Sequence, residues 1–256
     1  MDSLSRAGES TGFGAAGHRS KLERAPQLVV PDGTLEAFKW IALISMTGDH
    51  VNKYLFNGTH DWLFYCGRSA LPLFVFVLAY NLARPGAKVR GAYHRTIWRL
   101  VVVGGLTTPV FIGLGGLVAG WWPLNIMFTL AAVAVMLLLA ERRTVAGYVC
   151  AAGVSLAAGA LVEFGWSALA LGLAVWIYCW RRSWMAMALA AAAFAGLWHV
   201  NGNPWALVAV PIVLGASGVG LNVSRLRWVF YAYYPAHLFV LWLIRIPMSK
   251  AGYLFF

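Results

Sequence analysis

The stretch ISMTGDHVNKYLF, residues 44–56, begins as an apolar helix and then sets Asp49, His50 and Lys53 within little more than one turn. Together with LEAFKWIAL at 35–43 it forms a run of the length that crosses a bilayer, for which roughly 20 apolar residues are needed. An ionised side chain inside such a span costs about 2.5–3.5 kcal/mol on insertion scales. A chain that keeps an acid, an imidazole and an amine there uses them, either as glue between helices or as a chemical site.

The remainder of the chain has the same character. Of its 256 residues 61% are hydrophobic and only 11% charged, whereas soluble domains average about a quarter charged and under half apolar. Thirteen tryptophans and 27 glycines fit a helix bundle in lipid. The formal charge of +11 does not indicate nucleic acid, because the Lys and Arg residues fall in short clusters between apolar runs and form no continuous basic face. Cys66, Cys150 and Cys179 show neither a disulfide frame nor metal-ligand spacing. Residues 1–33 are rich in Gly, Ser, Ala and charge and lack an apolar core of signal-peptide length. They read as a disordered cytoplasmic tail preceding a transmembrane domain over 34–256.

The fold class is therefore all-α, a polytopic transmembrane helix bundle. Nine apolar runs are expected to span, near 34–56, 62–82, 96–118, 122–140, 144–162, 166–181, 184–200, 204–221 and 228–247, the sixth and seventh being the shortest. Basic residues alternate between the connections. Arg84, Lys88, Arg90 and Arg95 follow the second run, Arg142 and Arg143 the fourth, Arg181 and Arg182 the sixth, and Arg225 and Arg227 the eighth. The intervening connections carry no Lys or Arg, so the positive-inside rule puts the N-terminus in the cytoplasm.

With that orientation, polar residues gather toward the outer face. His50 lies in the outer half of the first run, Arg68 enters the second from outside, and Asn125 opens the fourth. Glu163, His199, His60 and Asp61 sit at outer connections. Asp49 has two candidate partners, Lys53 one turn away or Arg68, and either pairing also serves as packing. Asp49 and His50 project about 100° apart, so the carboxylate does not orient the imidazole directly. His50 is the strongest candidate base, since an imidazole accepts protons near neutral pH. A second cluster, FYAYYPAHLFVLWLIR at 230–245, brings Tyr234 and His237 into the last run from the cytoplasmic side, beside the basic 84–99 region.

Taken in order, LEAFKWIALISMTGDHVNKYLF, CGRSALPLFVFVLAYNL, PLNIMFTL, EFGW and FYAYYPAHLFVLWLIR resemble the TraX family from about Leu35 to Arg245. The most specific pieces are Met46-x-x-Asp49-His50, Gly67-Arg68-x-x-x-Pro72-x-Phe74 and Tyr234-Pro235-x-His237. The resemblance implies an acetyltransferase of the bacterial inner membrane that acetylates the N-terminus of a conjugative pilin from acetyl-CoA. It also implies a distant similarity to membrane acyltransferase-3 proteins, whose first helix carries a histidine needed for acyl transfer. On that basis His50 is the expected base, supported by Asp49 and Arg68. Arg68, Asn125, Tyr234 and His237 are expected to contact the cofactor, and Lys53 and Glu163 the substrate.

Other readings of the same residues are an O-acyltransferase acting on an envelope glycan or lipid, and a transporter using Asp49, His50 and Glu163 as a relay. A third is a non-enzymatic factor gripping pilin helices through GLGGLVAG at 113–120. Because acetyl-CoA is cytoplasmic and His50 leans outward, the enzymatic reading requires a pocket or tunnel through the bundle.

Overall fold

A computed structural model of the chain describes residues 25–255 apart from positions 117 and 119. The expected tail lies largely outside the described residues. Its last part, 25–31, runs along the bundle, with the Ala25 amide donating to the Arg182 carbonyl at 2.9 Å and the Val30 amide to the Tyr80 hydroxyl at 3.0 Å.

Helices follow the apolar runs. They are α1 (Asp32–Leu55), α2 (Asp61–Gly67), α3 (Ala70–Leu82), α4 (Ala92–Gly113), α5 (Ile126–Ala140), α6 (Val145–Gly159), α7 (Gly165–Arg181) and α8 (Trp184–Asn201). A 3-10 turn at Trp205–Val208, α9 (Ala209–Gly215) and α10 (Arg227–Lys250) complete the chain. Among the described residues extended pairing is limited to a parallel bridge between Leu124 and Val162. Four segments are long and apolar enough to cross a membrane: Asp61–Leu82, Ala92–Gly113, Trp184–Asn201 and Trp228–Lys250. Their outer faces leave Leu106, Met185 and Val240 exposed, a surface that suits lipid and not water.

The correspondence with the nine expected runs is incomplete in length. The short helices are in the fourth, fifth and eighth runs, while α7 and α8 hold 17 and 18 residues. α5 and α6 have 15 residues each. In the fourth run the Asn125 side chain accepts the Met127 amide at 3.1 Å and starts the helix only there. The eighth run contains Pro204 and Pro211 and then Gly215, Gly218 and Gly220, and it yields only a 3-10 turn and α9.

α2 and α3 form one bent rod. The bend falls at Arg68–Ser69, where the amides of both residues bond back three residues, to Tyr65 and Cys66, at 3.2 Å. Pro72 explains it: the ring has no amide for the Arg68 carbonyl and crowds it.

The core is built from α3, α5 and α7, whose Leu73, Val75, Val133, Leu137, Ala168 and Leu169 are buried. Polar groups within it are matched. The Tyr93 hydroxyl donates to the Leu82 carbonyl at 2.9 Å and accepts the Trp176 indole N–H at 3.1 Å. Gly172 sets the approach of α7, since a Cβ there would lie 2.5 Å from Val133 Cγ1 and 3.5 Å from Val75 Cγ1. Overpacking of this kind costs about 1–3 kcal/mol. Gly172→Leu should therefore lower the thermal unfolding midpoint in detergent by several degrees. Gly105→Ala, where a Cβ meets nothing within 4 Å, should leave it unchanged or raise it.

Candidate active site

The C-terminal half of α1 carries most of the site on two faces. On one, Asp49 turns toward the bend between α2 and α3 and accepts from Arg68 Nη2 at 2.5 Å. This selects Arg68 over Lys53 as the partner of Asp49. The close approach depends on Gly67, because a Cβ there would sit 2.4 Å from Asp49 Cβ. The Arg68 guanidinium is used on every side: Nη1 donates to Asn201 Oδ1 at 3.3 Å, Nε to the Phe64 carbonyl at 3.3 Å, and its plane lies 4.2 Å from the Phe64 ring centroid. It is thus held as a structural clamp joining α1, α2 and α8.

Lys53 donates to the Gly116 carbonyl at 3.2 Å and faces the Glu163 and Asp49 carboxylates electrostatically. Glu163 lies in the connection between α6 and α7, placed by the backbone bridge in which its amide donates to the Leu124 carbonyl at 3.1 Å. Thr129 fixes the same residue by donating to its carbonyl at 2.9 Å. Burial pushes the Glu163 carboxyl up to about 7, while the Lys53 and Arg68 charges oppose that shift. Asp49, Arg68, Lys53 and Glu163 thus form one cluster of two acids and two cations.

On the other face, His50 Nδ1 lies 2.7 Å from His237 Nε2. The rings are within 4° of parallel with centroids 5.0 Å apart, so at that nitrogen separation they meet edge to edge. Tyr233 stacks on His237 at 5.1 Å and links to Thr47 at 2.9 Å between the hydroxyls. Tyr54 and buried Tyr234 enclose His50, their centroids 5.6 and 6.4 Å from its own. His237 therefore sits at the depth of His50 and not, as its position in the last run suggested, apart from it toward the cytoplasmic side. Asn125 is placed differently: besides capping α5 it donates to the Gly104 carbonyl at 3.1 Å and to Thr108 Oγ1 at 3.3 Å, which commits its amide to joining α4 and α5.

A cavity of about 440 Å³ runs toward this pair. At one end it is lined by Lys39, Arg84, Arg90, Arg95, Arg99 and Arg225. Farther along α1, α3 and α5 its wall becomes apolar, with Leu43, Met46, Phe74, Val77, Met127 and Leu130. Tyr234 lines its inner part, and Met46 is one turn from His50. Two acids temper the basic end: Asp32 pairs with Arg84, and Glu36 pairs with Lys39 at 2.6 Å and meets Arg225 at 3.9 Å. Arg99 lies 4.7 Å from the Trp228 ring centroid and 5.8 Å from that of Tyr231.

Asn201, Tyr233, Lys39 and Arg225 were not foreseen as site residues. The Tyr233-to-His237 spacing of one turn was a usable signal for a shared face, whereas nothing local marks Asn201 as a partner of Arg68. Among the described residues no group of three or more His, Cys, Asp or Glu is arranged to hold a metal ion.

No solved structure matches the chain. Curated relatives include Protein TraX of Escherichia coli and Protein TraX of Escherichia coli strain K12, each 32% identical over 117 residues. Each alignment covers 46% of this chain and 44% of the relative, so it spans less than half the length of either protein. The family model described as TraX protein matches residues 34–245, from the third residue of α1 to the last turns of α10. The chain belongs to the TraX protein family.

Proposed function

We propose that the protein is an integral-membrane acetyltransferase that takes acetyl-CoA from the cytoplasm and transfers its acetyl group to an amine, the N-terminus of a conjugative pilin. In this reading all nine helical runs lie in the inner membrane, the short ones included, with the N-terminus and the basic connections cytoplasmic. The observation that carries the proposal is the cavity that starts among arginines, continues between apolar walls and reaches Tyr234, whose ring centroid lies 6.4 Å from that of His50. Its form suits an elongated donor with phosphates at one end and a thioester at the other.

Acetyl-CoA supplies an activated acyl thioester. The arginines hold its phosphates, Arg95 and Arg99 from the first two turns of α4. His50 Nε2 takes a proton from the acceptor amine as the nitrogen forms its bond to the acyl carbon, and returns it to the sulfur as the carbon–sulfur bond breaks. Asp49 and Arg68 keep α1 and the bent rod in register, so that His50 stays at the end of the cavity. Lys53 and Glu163 face the acceptor from the outer connections. This division of work gives Asn125 the role of shaping the cavity wall at Met127 rather than contacting the donor.

The test uses purified protein in lipid, labelled acetyl-CoA and a candidate pilin, followed by intact mass. Loss of a general base costs about 10²–10⁴-fold, so His50→Gln should reduce transfer by at least a hundredfold with an unchanged thermal midpoint. Equal transfer by both proteins would remove His50 from the chemistry. Transfer to a glycan or lipid hydroxyl in place of pilin would keep the enzyme and replace the acceptor. A separate prediction concerns the donor end. Each hydrogen bond to a charged group contributes about 1.5–3 kcal/mol, so Arg95→Ala and Arg99→Ala should each raise KM for acetyl-CoA roughly 10- to 100-fold and change kcat much less. An unchanged KM in both variants would place the donor elsewhere.

A further inference from the structure

We propose that His237 is a positioning residue that fixes the tautomer of His50, leaving His50 Nε2 unprotonated and free to accept a proton at the site. The assignment follows from hydrogen-bonding partners alone. His237 Nδ1 lies 3.0 Å from the Tyr233 carbonyl oxygen, which can only accept. The proton of a neutral His237 is therefore on Nδ1, and its Nε2 carries a lone pair. His50 Nδ1, 2.7 Å away, must donate to that lone pair, so the proton of a neutral His50 is on Nδ1 as well. His50 Nε2 is left as an acceptor. Among the described residues it has no hydrogen-bond partner, and it is not among the buried atoms sealed off without one.

The relay is held rigidly at its far end. Thr47 donates its hydroxyl proton to the Leu43 carbonyl at 2.7 Å, so the Tyr233 hydroxyl donates to Thr47. That bond fixes the Tyr233 ring, which lies within 13° of parallel to His237 and limits its rotation. The two links between α1 and α10, Thr47 with Tyr233 and His50 with His237, are each separated by one turn along their helices, which locks the register of one helix against the other. A carbonyl acts here as the terminal acceptor, where a carboxylate commonly orients a catalytic imidazole. His50 thereby gains a fixed tautomer without a further charge beside it.

The tautomer assignment stands on geometry; its use in catalysis rests on the acetyltransferase reading. The experiment therefore has two independent readouts on the full-length protein in lipid. With histidine labelled by ¹⁵N, and His50→Gln and His237→Gln used to assign signals, the expected spectrum shows His50 with a protonated Nδ1 and a bare Nε2. A protonated Nε2 on His50 would overturn the proposal. In His237→Gln the amide oxygen can still accept, so His50 should keep its tautomer and kcat should fall by less than about tenfold. In His237→Leu the acceptor is gone. His50 should then show a mixture of tautomers, and kcat should fall about 100-fold with KM for acetyl-CoA within about twofold. Retention of kcat by His237→Leu would overturn the positioning role. If the predicted spectrum is seen but wild-type protein transfers no acetyl group, the tautomer assignment holds and the acetyltransferase reading falls.

Discussion

The ion pair between Asp49 and Arg68 is the constraint around which the rest of the site is arranged. In lipid neither charge has water as a partner, so each must be satisfied by the protein. The pair forms because Pro72 bends the second run at Arg68 and because Gly67 lets α1 approach to a distance that a methyl group would forbid. Once made, it occupies the carboxylate and much of the guanidinium. The remaining donors of Arg68 reach Asn201 and the Phe64 carbonyl and bring α8 into the same assembly. The opposite face of α1 is then presented to α10, where His50 meets His237. A pairing that composition would class as costly is thus the element that orients the first helix about its own axis. Breaking one partner would strand the other charge, which is more damaging than never having had the pair.

The position of the cavity follows from the same arrangement. Lys39, Leu43 and Met46 lie on successive turns of α1, on a path that leads toward His50, and Phe230 and Tyr234 lie one turn apart on α10. The basic end reflects topology signals in part, since the connections that hold Arg84, Arg90 and Arg225 are those that the positive-inside rule makes basic. Arg95 and Arg99 differ from these. They lie within α4, and Arg99 additionally packs against two aromatic rings, an arrangement that orientation in a membrane does not require.

Much of this was legible in the sequence. Long apolar runs identified the helices because period and length suffice for that purpose. Gly67, Arg68 and Pro72 could be singled out because each breaks a rule of apolar helices within a few residues. The contact between His50 and His237 was not legible. The residues are 187 positions apart, and counting rise from the start of each run placed His237 nearer the basic side. Such counting fixes depth only for upright helices of known start, and α1 begins before the apolar run does, at Asp32. Asn125 was noticed for its polarity in an apolar segment. Its actual partners, the Met127 amide, the Gly104 carbonyl and Thr108, are a helix start and a neighbouring helix, neither of which a single-residue view predicts. The choice between Lys53 and Arg68 for Asp49 needed the backbone path at Gly67.

The 15-residue length of α6 has a consequence for the membrane itself. At 1.5 Å per residue it is roughly 22 Å long, against about 30 Å of hydrocarbon in a typical bilayer. α6 faces outward along Tyr148, Val149 and Leu156, so in the proposed nine-span arrangement surrounding lipid shortens to meet it. Hydrophobic mismatch of this sign thins the bilayer locally, at a cost of fractions of a kcal/mol per Å. In that arrangement the thinned annulus borders the connection after α6, which carries Glu163, and shortens the path from the aqueous phase to the charge cluster. Under the proposed function, lipid chain length then becomes a determinant of how readily the acceptor reaches that cluster.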